Sequence, residues 1–354
     1  MANEAAFQWD PNADQTYNGD DLTLSGTPES FKKVAGKSFT MDAAFSTLIL
    51  QVPQPGDTIW GFGDSDEPTT ILVRNGNLVY ECTSAWAVLS FEGGMLPAVK
   101  LTVENSATFT ARKTPDASAL VVYTGDVFVL TLKDAAVAEF FCDTFGLSQD
   151  EEDFAEINIS GMARMRVVSQ SVFGLINATV YVNSNSGGST YSLNWMTRCL
   201  DPQQGMILYT SSIRLAGAST GLLAGPFLTL QGDSRIEVVD TVTLQLMFDS
   251  VSVEQGSQFI LGGGAAQVKF EGFGNGQPFD FFNTVYPSGM FEITSQGSIN
   301  RGEFIIFSMG PSPISRILSK GLISIDGVPQ YNTSRISCAY ESHGVYIVIR
   351  QTRV

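Results

Sequence analysis

The chain has 354 residues, of which 44% are hydrophobic and only 16% charged, a balance that rules out general disorder and supplies a substantial core. Thirty-six Asp and Glu against 20 Lys and Arg set the formal net charge at −16. With no Lys/Arg cluster to release counterions, that charge argues against nucleic-acid partners and anionic membranes.

The opening stretch, Met1 to Asp10, has neither a basic leader nor an apolar segment, and no window approaches the ~18 apolar residues of a membrane span. The expectation is a chain that is not exported and inserts in no membrane. Phe7, Trp9, Phe31, Phe39 and Phe45, with a short helix-like segment over Pro28–Val34, read as an N-terminal cap over residues 1–45.

From there a repeat governs the chain: apolar-x-apolar, three residues, a small residue, x, apolar. It occurs as Ile71-x-Val73, Asn77, Val79; Leu101-x-Val103, Ala107, Phe109; and Leu130-x-Leu132, Ala136, Ala138. It recurs as Ile157-x-Ile159, Ala163, Met165; Leu228-x-Leu230, Ser234, Ile236; Val251-x-Val253, Ser257, Phe259; and Phe291-x-Ile293, Gly297, Ile299. Each apolar pair is a short strand with two side chains on one face, and the small residue fits the inside of the corner that follows. Weaker pairs, Leu22/Leu24, Leu48/Leu50, Val180/Val182 and Ile207/Tyr209, fill the gaps. The second residue of each pair is then an anchor, at 24, 50, 73, 103, 132, 159, 182, 209, 230 and 253, which spaces coils 21 to 30 residues apart. Such spacing predicts an all-β fold, a parallel β-helix of ten to twelve coils over residues 46–300, in which Val103, Leu132, Ile159 and Val182 form one aliphatic ladder. A series of antiparallel hairpins is the rival, at a closer turn spacing.

After about residue 262 the texture changes, with Gly262-Gly263-Gly264, a second glycine-rich run to Gly276, and Phe279 to Phe282. Phe304–Phe307, Leu322–Ile325 and Tyr346–Ile349 read as strands of a C-terminal end region over residues 301–354.

The inventory for chemistry is short. Cys82, Cys142, Cys199 and Cys338 are far apart and read as buried hydrophobes. The single histidine, His343, reads as a surface turn residue, since one His makes neither a His-rich metal site nor a triad. The run Asp150 to Asp153 reads as a solvated loop, with a divalent-cation site as the alternative. The glycines Gly61, Gly63 and Gly262 to Gly264 lack the strand-to-helix setting of a phosphate loop. A polysaccharide-degrading site would need paired acids, for which Glu104, Asp134, Asp233, Glu237, Asp240, Asp249 and Glu254 beside the anchors are the candidates. It would also need stacking aromatics, for which Trp60, Trp86, Tyr191 and Trp195 are available, Tyr191 and Trp195 following the Ser/Gly-rich stretch from Asn183 to Ser189; aromatic side chains closing the core under a long loop are the alternative reading. These residues do not converge in the sequence, so no catalytic, cofactor-binding or metal-binding residue is assigned and no cofactor is expected.

The repeat, as in Leu101-Thr-Val-Glu-Asn-Ser-Ala-Thr-Phe109 and Val251-Ser-Val-Glu-Gln-Gly-Ser-Gln-Phe259, resembles the coils of right-handed parallel β-helix proteins over roughly residues 20 to 300. These are the pectate-lyase-like group and the bacteriophage tailspikes. The resemblance implies a virion structural protein, made in the host cytoplasm: a tailspike-like part, a tail or fibre component, or a capsid decoration protein. Its implied partners are copies of itself, as a homotrimer, other virion proteins, and a host-surface polysaccharide. A polysaccharide lyase or glycoside hydrolase and a non-viral interaction scaffold are the alternatives, because such folds host unrelated activities.

Overall fold

The computed structural model describes residues 7–63, 65–92, 99–125, 127–148, 153–184, 191–198, 205–273, 276–295, 299–308, 313–341 and 346–352. The fold is all-β, with 62% strand and 3% helix, as the Val-, Ile-, Phe- and Thr-rich composition dictates. Two compact units divide the chain, one made of residues 1–158 and 163–169, the other of 159–162 and 170–354.

In the first unit three parallel ladders run through successive coils. One joins Phe39, Ile71, Leu101 and Leu130, with Met41, Val73, Val103 and Leu132 alongside. A second joins Leu22, Leu48, Leu78, Phe109 and Ala138. The third joins Lys33, Trp60 and Phe91, with Leu89, Val122 and Phe145 beside them. Because side chains alternate across a strand, every second residue points inward, and these positions are buried almost throughout. Inward side chains of successive coils therefore stack on one another, and the aromatic ones touch: Trp60 meets Phe91 with ring centroids 5.3 Å apart, Phe91 meets Phe128 at 4.9 Å, and Phe109 meets Phe140 at 5.7 Å.

Stacking in this unit begins at Gln15–Tyr17, which pairs with Phe39–Met41, inside the stretch read from the sequence as a cap. Below it the chain from Phe7 crosses the end of the core. Trp9 lies against Phe39 at 4.6 Å and against Trp60 at 6.2 Å. Its indole N–H donates to Lys32 O at 2.9 Å. The fully buried Lys33 donates from Nζ to the carbonyl oxygens of Asp10 at 2.9 Å and Ala13 at 2.7 Å. The helix-like segment is a single 3₁₀ turn, Pro28–Phe31, followed by the short strand Lys33–Val34.

The second unit repeats the principle. Val182, Leu215, Val238, Leu261, Ile293 and Ile325 form one parallel ladder. Leu175, Leu208, Leu230 and Val253 form another. The third runs from Trp195 through Leu223, Leu246 and Phe270 to Ile306. Parallel pairing extends past residue 300, to Glu303–Phe307 and Ile323–Ile325, and then changes. Tyr346–Gln351 pairs antiparallel with Glu303–Phe307 and with Ile336–Glu341, and Val328–Pro329 folds back on Ile323–Ile325.

Of the expected small-residue slots, Ala107, Ala136, Ala163, Ser234 and Ser257 are buried, Asn77 is half-buried, and Gly297 lies outside the described residues. Four of them close a turn, with the N–H of Ala107 donating to Glu104 O, that of Ala136 to Lys133 O, that of Ser234 to Gln231 O and that of Ser257 to Glu254 O. In the second unit the slot also carries a hydrogen-bond chain. Ala178 N–H donates to Ser211 Oγ at 3.0 Å, Ser211 N–H to Ser234 Oγ at 3.1 Å, and Ser234 N–H to Ser257 Oγ at 3.1 Å. Register departs from expectation at a few places. Leu208, not Tyr209, faces the core and pairs with Leu230. Leu78 rather than Val79 stacks on Phe109. Leu50 pairs with Tyr80, while Val73 belongs to a different ladder. Ile299, expected inward, is 40% exposed.

Candidate functional site

The seven acids beside the repeat are held by local structure. Glu104 is gripped by Arg74 Nε at 3.1 Å and Lys133 Nζ at 2.6 Å, which together hold its carboxyl below the usual range. Arg74 reaches on to Asp42 at 3.2 Å, so an alternating charge row, Asp42, Arg74, Glu104, Lys133, runs along one corner of the first unit. Asp42 is lowered by the Asn75 amide at 2.7 Å and by Arg74. Asp134 accepts the N–H of Asn105, one coil back, at 3.1 Å, and each residue has a positive φ in its own turn. In the second unit Glu237 pairs with Arg214 at 3.0 Å, Asp240 accepts Gly217 N–H at 2.9 Å, Asp249 accepts Gly276 N–H at 2.9 Å, and Glu254 accepts Gln231 Nε2 at 2.9 Å. Asp233 occupies a positive-φ turn position at φ 64. Asp and Asn tolerate that conformation better than other residues with a Cβ, which is why they recur at the corners. Of the seven, Asp240 lines a described concavity, and Glu237 is ion-paired to Arg214 of the same lining.

The aromatic candidates divide. Trp60 and Trp195 are fully buried core residues. Trp60 Nε1 donates to Phe31 O at 2.9 Å, whereas Trp195 Nε1 finds no partner among the described residues. Tyr191 donates its hydroxyl to Gln245 Oε1 at 3.1 Å. Trp86 alone of the four is open, at 46% exposure.

Cys82, Cys142 and Cys338 are buried free thiols, and burial pushes the Cys338 thiol up to about 12, which makes it inert. Cys199, His343 and Asp150 to Glu152 lie outside the described residues; Asp153 is buried. Among the described residues no group of three or more His, Cys, Asp or Glu could hold a metal ion, and no helix is long and apolar enough to cross a membrane.

Two concavities lie in the second unit and meet at Gly264. One of about 750 Å³ is lined by Ala265, Ile299, Asn300, Arg301, Arg350 and Gln351. Arg350 there is committed to Glu303 and Glu341, and Asn300 is buried with its amide donating to Leu261 O and Thr294 O while its Oδ1 accepts Gly302 N–H. The other, about 240 Å³, is lined by Tyr181, Asn183, Arg214, Asp240 and the run Gly262 to Gly264. Its cation, Arg214, already faces Glu237 and the Tyr181 ring. Most polar groups in both therefore serve the fold. No protein-family model matches the chain, and neither the curated proteins nor the solved structures contain a match.

Proposed function

We propose that the protein is a rigid assembly element of a bacteriophage virion: a tailspike-like part, a tail or fibre component, or a capsid decoration protein. In this reading its stacked coils are turns of a right-handed parallel β-helix, and it works as a homotrimer bound to other virion proteins. The observation that supports it is the engagement of the acids. Six of the seven candidate carboxylates are bonded to a neighbouring coil or turn, an arrangement that ties successive coils together and stiffens a stack. A parallel stack is stiff along its axis because each coil is hydrogen-bonded to the coils on either side.

Size-exclusion chromatography with light scattering, repeated over a dilution series and paired with far-UV circular dichroism, tests the proposal. The expected result is a β-rich trimer that survives dilution. A monomer at every concentration that releases reducing ends from a bacterial surface polysaccharide would overturn it in favour of a depolymerase.

A further inference from the structure

In the second unit two of the parallel ladders end in antiparallel strands, and the two endings are built differently. Val328–Pro329 closes the ladder of Leu261, Ile293 and Ile325. It is two residues long, and because Gln330 N–H donates to Ile323 O, Pro329 takes the outward-pointing position, where it offers no N–H. Ile336–Glu341 ends the ladder that runs from Trp195 to Ile306. It pairs with Tyr346–Gln351 over six consecutive residues and with no other strand among the described residues.

The phase of that pairing follows from one bond, Thr352 N–H donating to Arg335 O at 2.8 Å. Bonded and non-bonded positions alternate in an antiparallel pair, so Ser337, Ala339 and Glu341 turn their N–H and C=O groups toward Tyr346–Gln351. Ile336, Cys338 and Tyr340 turn theirs the other way, where no backbone or side-chain partner stands among the described residues. One edge of the sheet thus carries three donors and three acceptors in a regular row.

Edges of this kind are ordinarily blunted by a proline, a lysine, an inward-pointing charge or a bulge. Ile336–Glu341 has none of these; its one charge, Glu341, stands at its last position. Elsewhere the chain does bulge. At Phe45, Asp42 pairs with Asn75 and Thr47 with Asn77, so four residues stand opposite Gly76 of the next coil and are braced by it: a Cβ there would come within 2.2 Å of Ala43 O. A regular, unblunted edge is built to be paired.

We infer that Ile336–Glu341 pairs antiparallel with the same strand of a second copy, on a two-fold axis through Cys338. Ile336 of each copy then stands opposite Tyr340 of the other, and Cys338 opposite Cys338, so every outward N–H and C=O of both strands is bonded. A shift of two residues either way puts Tyr340 or Ile336 opposite a residue beyond the strand. The occupant is a second copy because the outer face agrees with the same register. Arg335 falls opposite Glu341 at both ends, and the small Ser337 and Ala339 meet between them. Arg335 has no ion pair among the described residues, and Asp326, whose carboxyl feels its charge, is bonded to Ser295. Glu341 already holds Arg350, and a carboxylate, with about four acceptor sites, has room for a second guanidinium. No like charges stand opposite one another, a condition that a chain of net charge −16 sets on any contact with itself. The contact goes beyond the assembly reading above. Being isologous, it closes after one step and joins two of the smallest assemblies, whether single copies or trimers.

Sedimentation velocity of the full chain over a dilution series, with amide exchange at its two ends, reads the contact. The mass doubles at the concentrated end. Exchange slows there at Ile336, Cys338 and Tyr340, while Ser337, Ala339 and Glu341 are protected throughout. Cys338→Pro removes an N–H that the fold does not use, at an edge position where proline is tolerated, and holds the mass at the undoubled value with unchanged circular dichroism. Register is read independently by mixing Ser337→Cys with Ala339→Cys. Those positions face each other with α-carbons about 4.5 Å apart, within disulfide reach, so oxidation links the mixture and neither variant alone. No doubling of the wild type, doubling that survives Cys338→Pro, outward amides indifferent to concentration, no link in the mixture, or a link in either cysteine variant alone overturns the contact. A trimer that never doubles removes the contact and leaves the assembly reading standing; a monomer that doubles to a dimer, with the three outward amides protected, does the reverse.

Discussion

Ser234→Ala removes one oxygen from the corner of the second unit and should have a definite cost. The Oγ accepts the Ser211 N–H at 3.1 Å and donates to Gln231 O at 2.5 Å, in a position with no solvent exposure. Gln231 O keeps two donors after the change, the N–H groups of Ser234 and Thr210 at 3.2 and 3.1 Å. Ser211 N–H keeps none among the described residues, and a buried donor left without a partner costs about 1–3 kcal/mol. Ser257→Ala is the internal control. It takes an acceptor from Ser234 N–H, which still reaches Gln231 O, so its cost should stay below about 1 kcal/mol. In a unit of this size each kcal/mol lowers the melting temperature by roughly 2–4 °C. Urea unfolding, resolved by unit because the chain need not unfold in one step, gives the free energies. Amide exchange at Ser211 gives the local effect. Equal losses in the two variants, or none in either, would refute the claim that the serine row is a hydrogen-bond chain rather than three small residues.

Other outcomes follow from the same structure. Asn300→Ala leaves Gly302 N–H and the carbonyls of Leu261 and Thr294 without the side chain that joins them, and should lower the stability of the second unit by about 2–4 kcal/mol in calorimetry. Gly76→Ala forces a φ of 82 on a residue with a Cβ and brings that atom to 2.2 Å from Ala43 O; the conformation alone costs roughly 1–3 kcal/mol, and a wild-type melting curve would disprove the brace. Burial lowers Lys33 to about 8 from 10.5. The unfolded chain therefore holds more protons between those values, and this group's contribution makes stability rise with pH across that window. Subtracting the pH profile of Lys33→Met from that of the wild type should isolate a positive slope between pH 8 and 10.5, and a flat difference would contradict it. Glu104, held down by Lys133 and Arg74, contributes stability that is complete above its unfolded value of 4.5 and disappears as pH falls through its lowered folded value. Glu104→Gln should accordingly flatten the acid limb of a denaturation profile, and an unchanged limb would show the charge row to be idle.

The coil grammar was legible because its inward residues alternate cleanly with polar ones. Leu101, Val103, Ala107 and Phe109 are separated by Thr, Glu and Ser, and all four are buried. Phase was lost where both faces of a strand are apolar. Met206-Ile207-Leu208-Tyr209 alternates equally well in either phase, and Leu78-Val79-Tyr80 does the same, so only pairing with Leu230 or Phe109 decides. The ladder from Val103 to Leu132 is observed, but Leu50 and Val73 were joined wrongly because strands on different faces share one grammar and spacing along the chain does not name the face. The partners of the candidate acids were hidden for a different reason. An acid beside an apolar anchor has the same local sequence whether it faces a cleft or the arginine one coil away, and Arg74 lies 30 residues from Glu104. The serine row did leave a signal, since Ser211, Ser234 and Ser257 are spaced 23 residues apart.

The bulge at Phe45 also bears on how such a chain can change length. Pairing lapses after Asp42 and resumes at Thr47, and Leu48, Leu50 and Val52 all recover their partners in the next coil. An insertion at a corner is thus absorbed within the corner, because coil-to-coil pairing reasserts register on the far side of it. Partners on successive coils are in fact separated by anything from 22 residues, as between Met206 and Leu228, to 36, as between Val268 and Phe304. A coil can therefore lengthen or shorten between its ladders without disturbing the residues that pair on either side.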